Sequence, residues 1–245
     1  MAVHAAASIA ASILTVRTMA LQLVIGNKNY SSWSMRPWVL MSQLEIPFEE
    51  RKLRFDFDED SAFRQGVAAV SPAGFVPVLL DDGFAVWDTL ANAEYLHEKF
   101  PGRGVWPADT RARARARSLA AEMHSGFGAL RSHCPMNIEA RLPEVGARVW
   151  TEQEAVRKNV ARLETMWAEA LAASGGPFLF GDFGAADAFF APVCMRLASY
   201  ALPVSAATNA YVQRVSAAPG VARWIADALA ERDFLDFEEP YRKAR

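Results

Sequence analysis

Ser31 and Ser32 stand just before a helix-start signal, where a hydroxyl group can act on a bound anion. Pro37 lacks an N–H and is tolerated only in the first turn of a helix, which predicts an N-cap between residues 34 and 36, with Ser34 the best capping side chain. A helix N-terminus stabilises an anion by about 0.3–2 kcal/mol. A hydroxyl that donates to a thiolate adds roughly 1.5–3 kcal/mol. Together they can supply the ~2.7 kcal/mol that lowers a thiol pKa by about two units, without a metal or a histidine.

The cysteines and histidines give no pattern typical of disulfide or metal chemistry. Cys134 and Cys194 lie 60 residues apart without a C-x-x-C pattern, which favours a reducing, cytoplasmic compartment. The four histidines lack the spacing of zinc ligands. The group of Met123, His124, His133 and Cys134 is therefore interpreted as pocket wall or core, and no metal is expected.

The composition favours a folded protein that binds small molecules. A chain of 245 residues that is 52% apolar can fill one large or two modest domains. Its 26 basic and 28 acidic residues give a net charge of -2, which provides no electrostatic footprint for nucleic acid or for an anionic membrane. A small neutral or mildly anionic ligand fits this balance better.

The first half of the chain reads as alternating strands and helices. An aliphatic run that ends in Gly-Asn predicts a buried strand at 21–26, and a helix follows to about residue 44. A second strand is predicted at 49–55. Asp82-Gly83 predicts a tight hairpin between strands at 76–80 and 84–88, and the residues over 89–100 are typical of a helix.

The second half reads as helical throughout. The Pro- and Gly-rich stretch 101–108 is interpreted as a linker between a domain at 21–100 and a helical domain at 109–240. Apolar residues at three- and four-residue spacing predict a helix over 151–173. The run RARARAR at 111–117 has high helix propensity and is interpreted as a solvated helix surface, with nucleic-acid binding as the alternative.

The first twenty residues, MAVHAAASIAASILTVRTMA, are interpreted as a disordered leader or as the result of a start codon assigned too early. A secretory signal is the alternative. The segment lacks a cationic n-region, Arg17 falls where a small-residue cleavage site belongs, and the run is too short to span a bilayer.

Four motifs in this order resemble the soluble glutathione transferases over nearly the whole chain from residue 21. They are NYSSWSMRPW at 29–38, GFVPVLL at 74–80, DTLANAEYL at 88–96 and FLFGDFGAADAFFAP at 178–192. The first resembles the Ser-type active-site segment, nearest to the zeta class. The resemblance implies an α/β thioredoxin-like domain that binds glutathione, an all-α domain for an electrophilic second substrate, and a homodimer.

By this resemblance Ser31 donates to the glutathione thiolate, with Ser32 as the fallback donor. Ser34, the predicted helix cap, is placed with Trp33 and Phe75 among the glutathione-binding residues. Trp33 packs beside the thiol site, with a purely core role as the alternative. The motif around Phe75 implies a cis Val76-Pro77 bond, which leaves the Val76 backbone free to pair with the backbone of the cysteinyl residue of glutathione.

At the third motif the resemblance implies binding of the γ-glutamyl end. Asp88 is expected to bind its ammonium, while the Thr89 hydroxyl and the amides of the following helix bind its carboxylate. In the fourth motif Asp187 is expected to reach back to the N-cap amide at Gly184, as half of a capping box, and to serve folding rather than catalysis.

The pocket for the second substrate is expected between the first two helices of the helical domain and the signature helix. His124 and Arg196 are the candidates there, with Arg196 able to bind a carboxylate. The zeta class has its substrate arginine one turn later, at a position that corresponds to Ser199.

The main hypothesis is therefore conjugation of glutathione to small apolar electrophiles. One alternative is glutathione-dependent cis-trans isomerisation of a small dicarboxylate, as in maleylacetoacetate isomerases. Trp33 counts against it, because the zeta pattern has cysteine at that position. The other alternative is a glutathione-binding scaffold without turnover, for which a blocked or displaced Ser31 would be the sign.

Overall fold

The computed structural model describes residues 21–245, so the predicted leader at 1–20 lies outside the described residues. In the described part, the strands are β1 Leu21–Ile25, β2 Phe48–Lys52, β3 Val78–Asp81 and β4 Phe84–Trp87. The helices are α1 Ser32–Gln43, α2 Ala62–Ala68, α3 Thr89–Lys99, α4 Thr110–Ser125, α5 Gly128–His133, α6 Pro143–Glu152, α7 Glu154–Ser174, α8 Ala185–Ser199, α9 Ala206–Ala217 and α10 Pro219–Glu231, followed by a 3-10 turn at Asp236–Glu238.

The four strands form one mixed sheet in the order β2-β1-β3-β4. β1 pairs parallel with β2, which places α1 in the crossover between them, and pairs antiparallel with β3. The predicted hairpin between β3 and β4 is confirmed. Asp82 and Gly83 both have positive φ, 50° and 81°, as a two-residue turn with the right twist requires. The predicted thioredoxin-like order of elements is thus present.

The predicted start of α1 is wrong. The helix begins at Ser32 with Ser31 at the N-cap position, so Ser34 lies inside the helix and does not cap it. Pro37 also lies inside α1 rather than in its first turn. The helix tolerates it at the cost of one backbone hydrogen bond, since Pro37 has no N–H to offer the Trp33 carbonyl. The earlier start moves Ser31 and Ser32 onto the helix N-terminus itself.

Helix α8 is the central helix of the helical domain and packs against α1, α4 and α9. All of its residues except Ala198 are buried. The predicted capping contact of Asp187 is confirmed, because its carboxylate accepts from the N-cap amide of Gly184 at 3.1 Å. It also accepts from the Leu179 amide at 3.1 Å and from the Tyr211 hydroxyl at 2.8 Å, which ties α8 to the preceding turn and to α9. Burial raises the pKa of Asp187 to about 6.

Several predicted boundaries shift. The helix expected over 151–173 is α7, which begins after a break at Gln153 that separates it from α6. β3 begins after Pro77, which has no N–H for a ladder. The segment predicted as a linker contains Val105 and Trp106, both buried, and the Val105 carbonyl accepts from the Ala185 amide at 2.9 Å. The segment is therefore packed against the start of α8. The predicted helix over 111–117 is confirmed by α4.

Candidate active site

The site begins at a short chain of hydrogen bonds between β1 and α1. The Gly26 amide donates to Ser34 Oγ at 3.2 Å, and the hydroxyls of Ser34 and Ser31 lie 2.7 Å apart. Ser34 is fully buried and Ser31 lines a cleft. Because hydroxyl protons rotate, Ser34 can donate to Ser31 and leave the Ser31 proton for an anion in that cleft. Ser34 therefore touches Ser31 rather than the cleft.

Two clefts meet at Trp33. Cleft A, of about 320 Å³, is lined by Tyr30, Ser31, Ser32, Trp33, Phe75, Val76, Arg131 and Arg196, among others. Cleft B, of about 390 Å³, is lined by Trp33, Ala73, Phe75, Val76, Pro77, Trp87, Asp88, Thr89 and His124. Trp33, Phe75 and Val76 border both, so one elongated ligand can occupy the two clefts together. Trp33 is half-buried and is not part of the core.

The turn before β3 forms the shared wall. The Val76-Pro77 peptide bond is cis, as the resemblance implied. Neither the N–H nor the carbonyl of Val76 has a hydrogen-bond partner within residues 21–245. Both are thus free to pair with a ligand backbone. Phe75 is 74% exposed at the mouth of both clefts.

Cleft B ends on a polar cluster at the start of α3. Asp88 caps the helix by accepting from the Leu90 amide at 2.8 Å, and its second oxygen lies 3.2 Å from His124 Nε2. Thr89 Oγ1 lies 3.5 Å from His124 Nδ1 and accepts from Arg36 at 3.4 Å. His124 thus lines cleft B together with Asp88 and Thr89. Burial lowers the pKa of His124, with Arg36 and Arg131 acting in the same direction and Asp88 opposing them.

Three arginines surround the Trp33 side of the clefts. The Arg36 guanidinium lies 4.0 Å from the centre of the Trp33 ring, and that of Arg131 lies 5.6 Å from it. Burial lowers the pKa of Arg36 to about 9, and repulsion from Arg131 and Arg196 adds to this. Burial also lowers the pKa of Arg196 to about 10. Only Arg196 was a sequence candidate; Arg36 and Arg131 were missed.

A C-terminal strap, residues 224–242, fixes the loop that leads into Ser31. Lys28 Nζ lies 2.6 Å from both Asp227 and Glu50, and the Lys28 carbonyl accepts from the Trp224 indole at 3.1 Å. Asn27 donates to Asp233 at 2.9 Å. Apart from Glu50, these partners lie about 200 positions away from the loop in the sequence.

Tyr30 and Glu239 complete the strap. The Tyr30 hydroxyl donates to Glu239 at 2.7 Å, and Asn137 donates to the same carboxylate oxygen at 2.9 Å. Burial, together with the Glu239 carboxylate, raises the pKa of Tyr30 to about 12. Burial opposes ionisation of Glu239, but hydrogen bonds from Arg242, Tyr30 and Asn137 outweigh it and lower the pKa of Glu239. Tyr30 therefore stays protonated, and its hydrogen bond to Glu239 fixes the position of the chain immediately before Ser31.

The sequence-predicted residues divide between the two clefts. Cleft A holds Ser31, Ser32 and Arg196, cleft B holds Pro77, Asp88, Thr89 and His124, and both hold Trp33, Phe75 and Val76. Ser34 lines neither. Within residues 21–245 no group of three or more His, Cys, Asp or Glu side chains could hold a metal ion. In the same range no helix has the length and apolarity to cross a bilayer.

A thioredoxin-like sheet domain with a serine at the start of its first helix, joined to an all-helical domain, defines a glutathione transferase class of fold. The sequence profile described as Glutathione S-transferase, N-terminal domain matches residues 30–99, and the profile described as Glutathione S-transferase, C-terminal domain matches residues 109–227. Together they cover more than three quarters of the chain. The chain belongs to the glutathione S-transferase family.

Individual relatives place the chain within this family at moderate distance. It is 40% identical over 68 residues to a dichloromethane dehalogenase of Methylorubrum extorquens, covering 27% of this chain and 23% of the relative. It is 29% identical over 124 residues to a zeta-class glutathione S-transferase of Euphorbia esula, covering 50% and 53%. A glutathione transferase homolog from Burkholderia BGR1, solved with bound glutathione, superposes with a TM-score of 0.64 at 26% identity, covering 85% of this chain and 98% of that chain. The matches to these two curated relatives thus span about half of their length or less.

Proposed function

We propose that this chain is a glutathione transferase that joins the glutathione sulfur to a small electrophile. The observation that carries the proposal is the Ser31 hydroxyl, which lies at the N-cap of a twelve-residue helix and on the wall of cleft A. Helix and hydroxyl together can provide the roughly 2.7 kcal/mol that lowers a thiol pKa by two units. Ser32, at the first helical position and on the same wall, is the fallback donor.

The two clefts fit glutathione as an extended tripeptide. Its γ-glutamyl end has complements in the Asp88 carboxylate, which is about half exposed, and in the Thr89 hydroxyl and the N-terminal amides of α3. Its cysteinyl backbone can pair with the free N–H and carbonyl of Val76. In this arrangement the thiol lies beside Ser31, and the remaining part of cleft A is open to the second substrate.

The reaction needs little more from the protein than geometry and charge. The thiol proton passes to bulk water, the sulfur forms a bond to the electrophilic carbon, and the leaving group departs with its electron pair. Aromatic side chains of cleft A, including Phe55 and Phe63, hold the electrophile's apolar part against the sulfur. The dehalogenase relative is named for a small electrophile of this kind.

The test is the fate of glutathione in the presence of 1-chloro-2,4-dinitrobenzene. The proposal predicts that glutathione disappears in step with chloride release and that Ser31→Ala slows the reaction. Isomerisation is the second candidate, favoured by Arg131 and Arg196 in cleft A and opposed by Trp33 at the zeta cysteine position. It predicts turnover of a cis dicarboxylate with no net loss of glutathione. A scaffold predicts binding without either reaction.

We further propose that the chain forms a homodimer in the cytoplasm. β4 is an edge strand of the sheet, and it exposes Phe84 by 63% and Trp87 by 44%. An exposed apolar edge strand is a surface on which another chain can pair or pack. Cys134 and Cys194 are free, buried thiols, which accords with a reducing compartment.

A further inference from the structure

The arginines around Trp33 lack a negative partner. No carboxylate of residues 21–245 lies within 4.0 Å of the guanidinium of Arg36, Arg131 or Arg196. Glu238 lines the same cleft, but it is not within that distance. Buried or half-buried cations are costly unless an anion is near. Of the three, Arg131 and Arg196 line cleft A, so its wall carries two guanidinium groups without a carboxylate partner in contact.

Arg196 has unused hydrogen-bonding capacity. It is 4% exposed, it lines cleft A, and one guanidinium nitrogen donates to the Cys134 carbonyl at 2.7 Å. Its Nε has no partner. Buried donors without partners are rare in native proteins and point to a missing acceptor. A planar carboxylate can accept from two guanidinium donors at once.

Arg131 provides the second cation. It comes from α5, donates to the carbonyls of Met123 and His124 at 3.2 and 3.3 Å, and lines the same cleft. Both arginines thus belong to the helical domain, whereas the glutathione contacts at Asp88 and Val76 belong to the sheet domain. Arg64, from α2 of the sheet domain, also lines cleft A and is available to the glycyl carboxylate.

We propose that the second substrate is an electrophile that carries a carboxylate, and that Arg131 and Arg196 bind this carboxylate while the reacting carbon faces Ser31. The proposal rests on the proposed function and narrows its substrate class from apolar electrophiles to acidic ones. The aromatic wall of cleft A then holds the substrate body, and the arginines set its orientation.

The kinetic test compares two electrophiles of similar shape, 4-chloro-3,5-dinitrobenzoate and neutral 1-chloro-2,4-dinitrobenzene. In Arg196→Met and Arg131→Met, we expect kcat/KM for the benzoate to fall by about tenfold or more, as loss of a charge-assisted hydrogen bond requires. The ratio of this value to that for the neutral compound should fall by a similar factor, and Arg196→Lys should restore part of the loss. Arg113→Met is the matched control, since Arg113 also donates to backbone carbonyls, at 2.8 and 3.1 Å, but lines neither cleft.

A binding test works without turnover. Calorimetry on the glutathione-loaded protein measures unreactive 3,5-dinitrobenzoate against neutral 1,3-dinitrobenzene, and thermal melting checks that each variant is folded. Loss of benzoate binding alone in the arginine variants supports the proposal even if no conjugation is seen. Equal losses for both compounds, no loss for either, or a rise confined to the KM of glutathione would each overturn it. Failure of the wild type to conjugate either electrophile refutes the proposed function separately.

Discussion

Replacing Ser34 with alanine tests whether Ser34 strengthens the hydrogen bond that Ser31 donates to the thiolate, while the Ser31 hydroxyl itself stays in place. Ser34 accepts from the Gly26 amide and lies 2.7 Å from Ser31 Oγ. A hydrogen-bond chain strengthens each member by about 10–30%. Applied to a bond of roughly 1.5–3 kcal/mol between Ser31 and the thiolate, this is about 0.15–0.9 kcal/mol, or about 0.1–0.7 pH units in the thiol pKa. Ser31→Ala removes the whole bond, which is about 1.1–2.2 units.

The assay is thiolate absorbance of bound glutathione as a function of pH. Ser34→Ala is expected to raise the thiol pKa by a few tenths of a unit and to lower the free energy of unfolding by about 1–3 kcal/mol, because the buried Gly26 amide loses its acceptor. Ser216→Ala is the matched control, since Ser216 donates to the Val212 carbonyl at 2.7 Å on α9, away from both clefts. A rise in the thiol pKa as large as that in Ser31→Ala would refute the reasoning, because Ser34 would then be the direct partner of the thiolate. If the thiol pKa and kcat of Ser34→Ala equal those of the wild type, Ser34 does not strengthen the hydrogen bond from Ser31.

Three further predictions concern folding, pH and assembly. Asp187→Asn should lower the free energy of unfolding in urea by about 1–3 kcal/mol, because an amide cannot accept on both atoms, and should leave the thiol pKa unchanged; an altered thiol pKa would contradict a purely folding role. The native pKa of His124 is lowered, so the wild type should lose stability as pH falls below about 6.5, and His124→Gln should flatten that slope in pH-dependent melting; an identical slope would contradict this. Phe84→Asp should produce monomers in sedimentation, and an unchanged mass would place the interface elsewhere.

Much of the fold could be predicted because its signals are local. The aliphatic run of β1, the Asp82-Gly83 turn and the apolar face of α7 each act through neighbours in the sequence. The four motifs then identified the family and the residues of the clefts that come from the start of α1, the turn before β3 and the start of α3. The start of α1 was missed because the proline rule assumes a first-turn position, whereas the packed helix accommodates Pro37 inside.

The rest of the site depends on contacts between distant residues. The role of Tyr30 follows from Glu239, 209 positions later, and nothing in a polar loop after a strand indicates such a partner. The arginine cluster likewise combines side chains from α1, α5 and α8, which lie far apart in the sequence. The contacts of His124 with Asp88 and Thr89 also could not be predicted, because they arise where the end of α4 faces the start of α3.

The central claim is that Ser31 holds glutathione as a thiolate, and its most direct measurement is the thiol titration of bound glutathione in wild type, Ser31→Ala and Ser32→Ala. The account predicts a wild-type thiol pKa about two units below the ordinary value of ~8.5, which rises by about 1.1–2.2 units in Ser31→Ala and stays unchanged in Ser32→Ala. Loss only in Ser32→Ala would move the role by one residue. Bound glutathione with an unshifted thiol in the wild type would contradict the account.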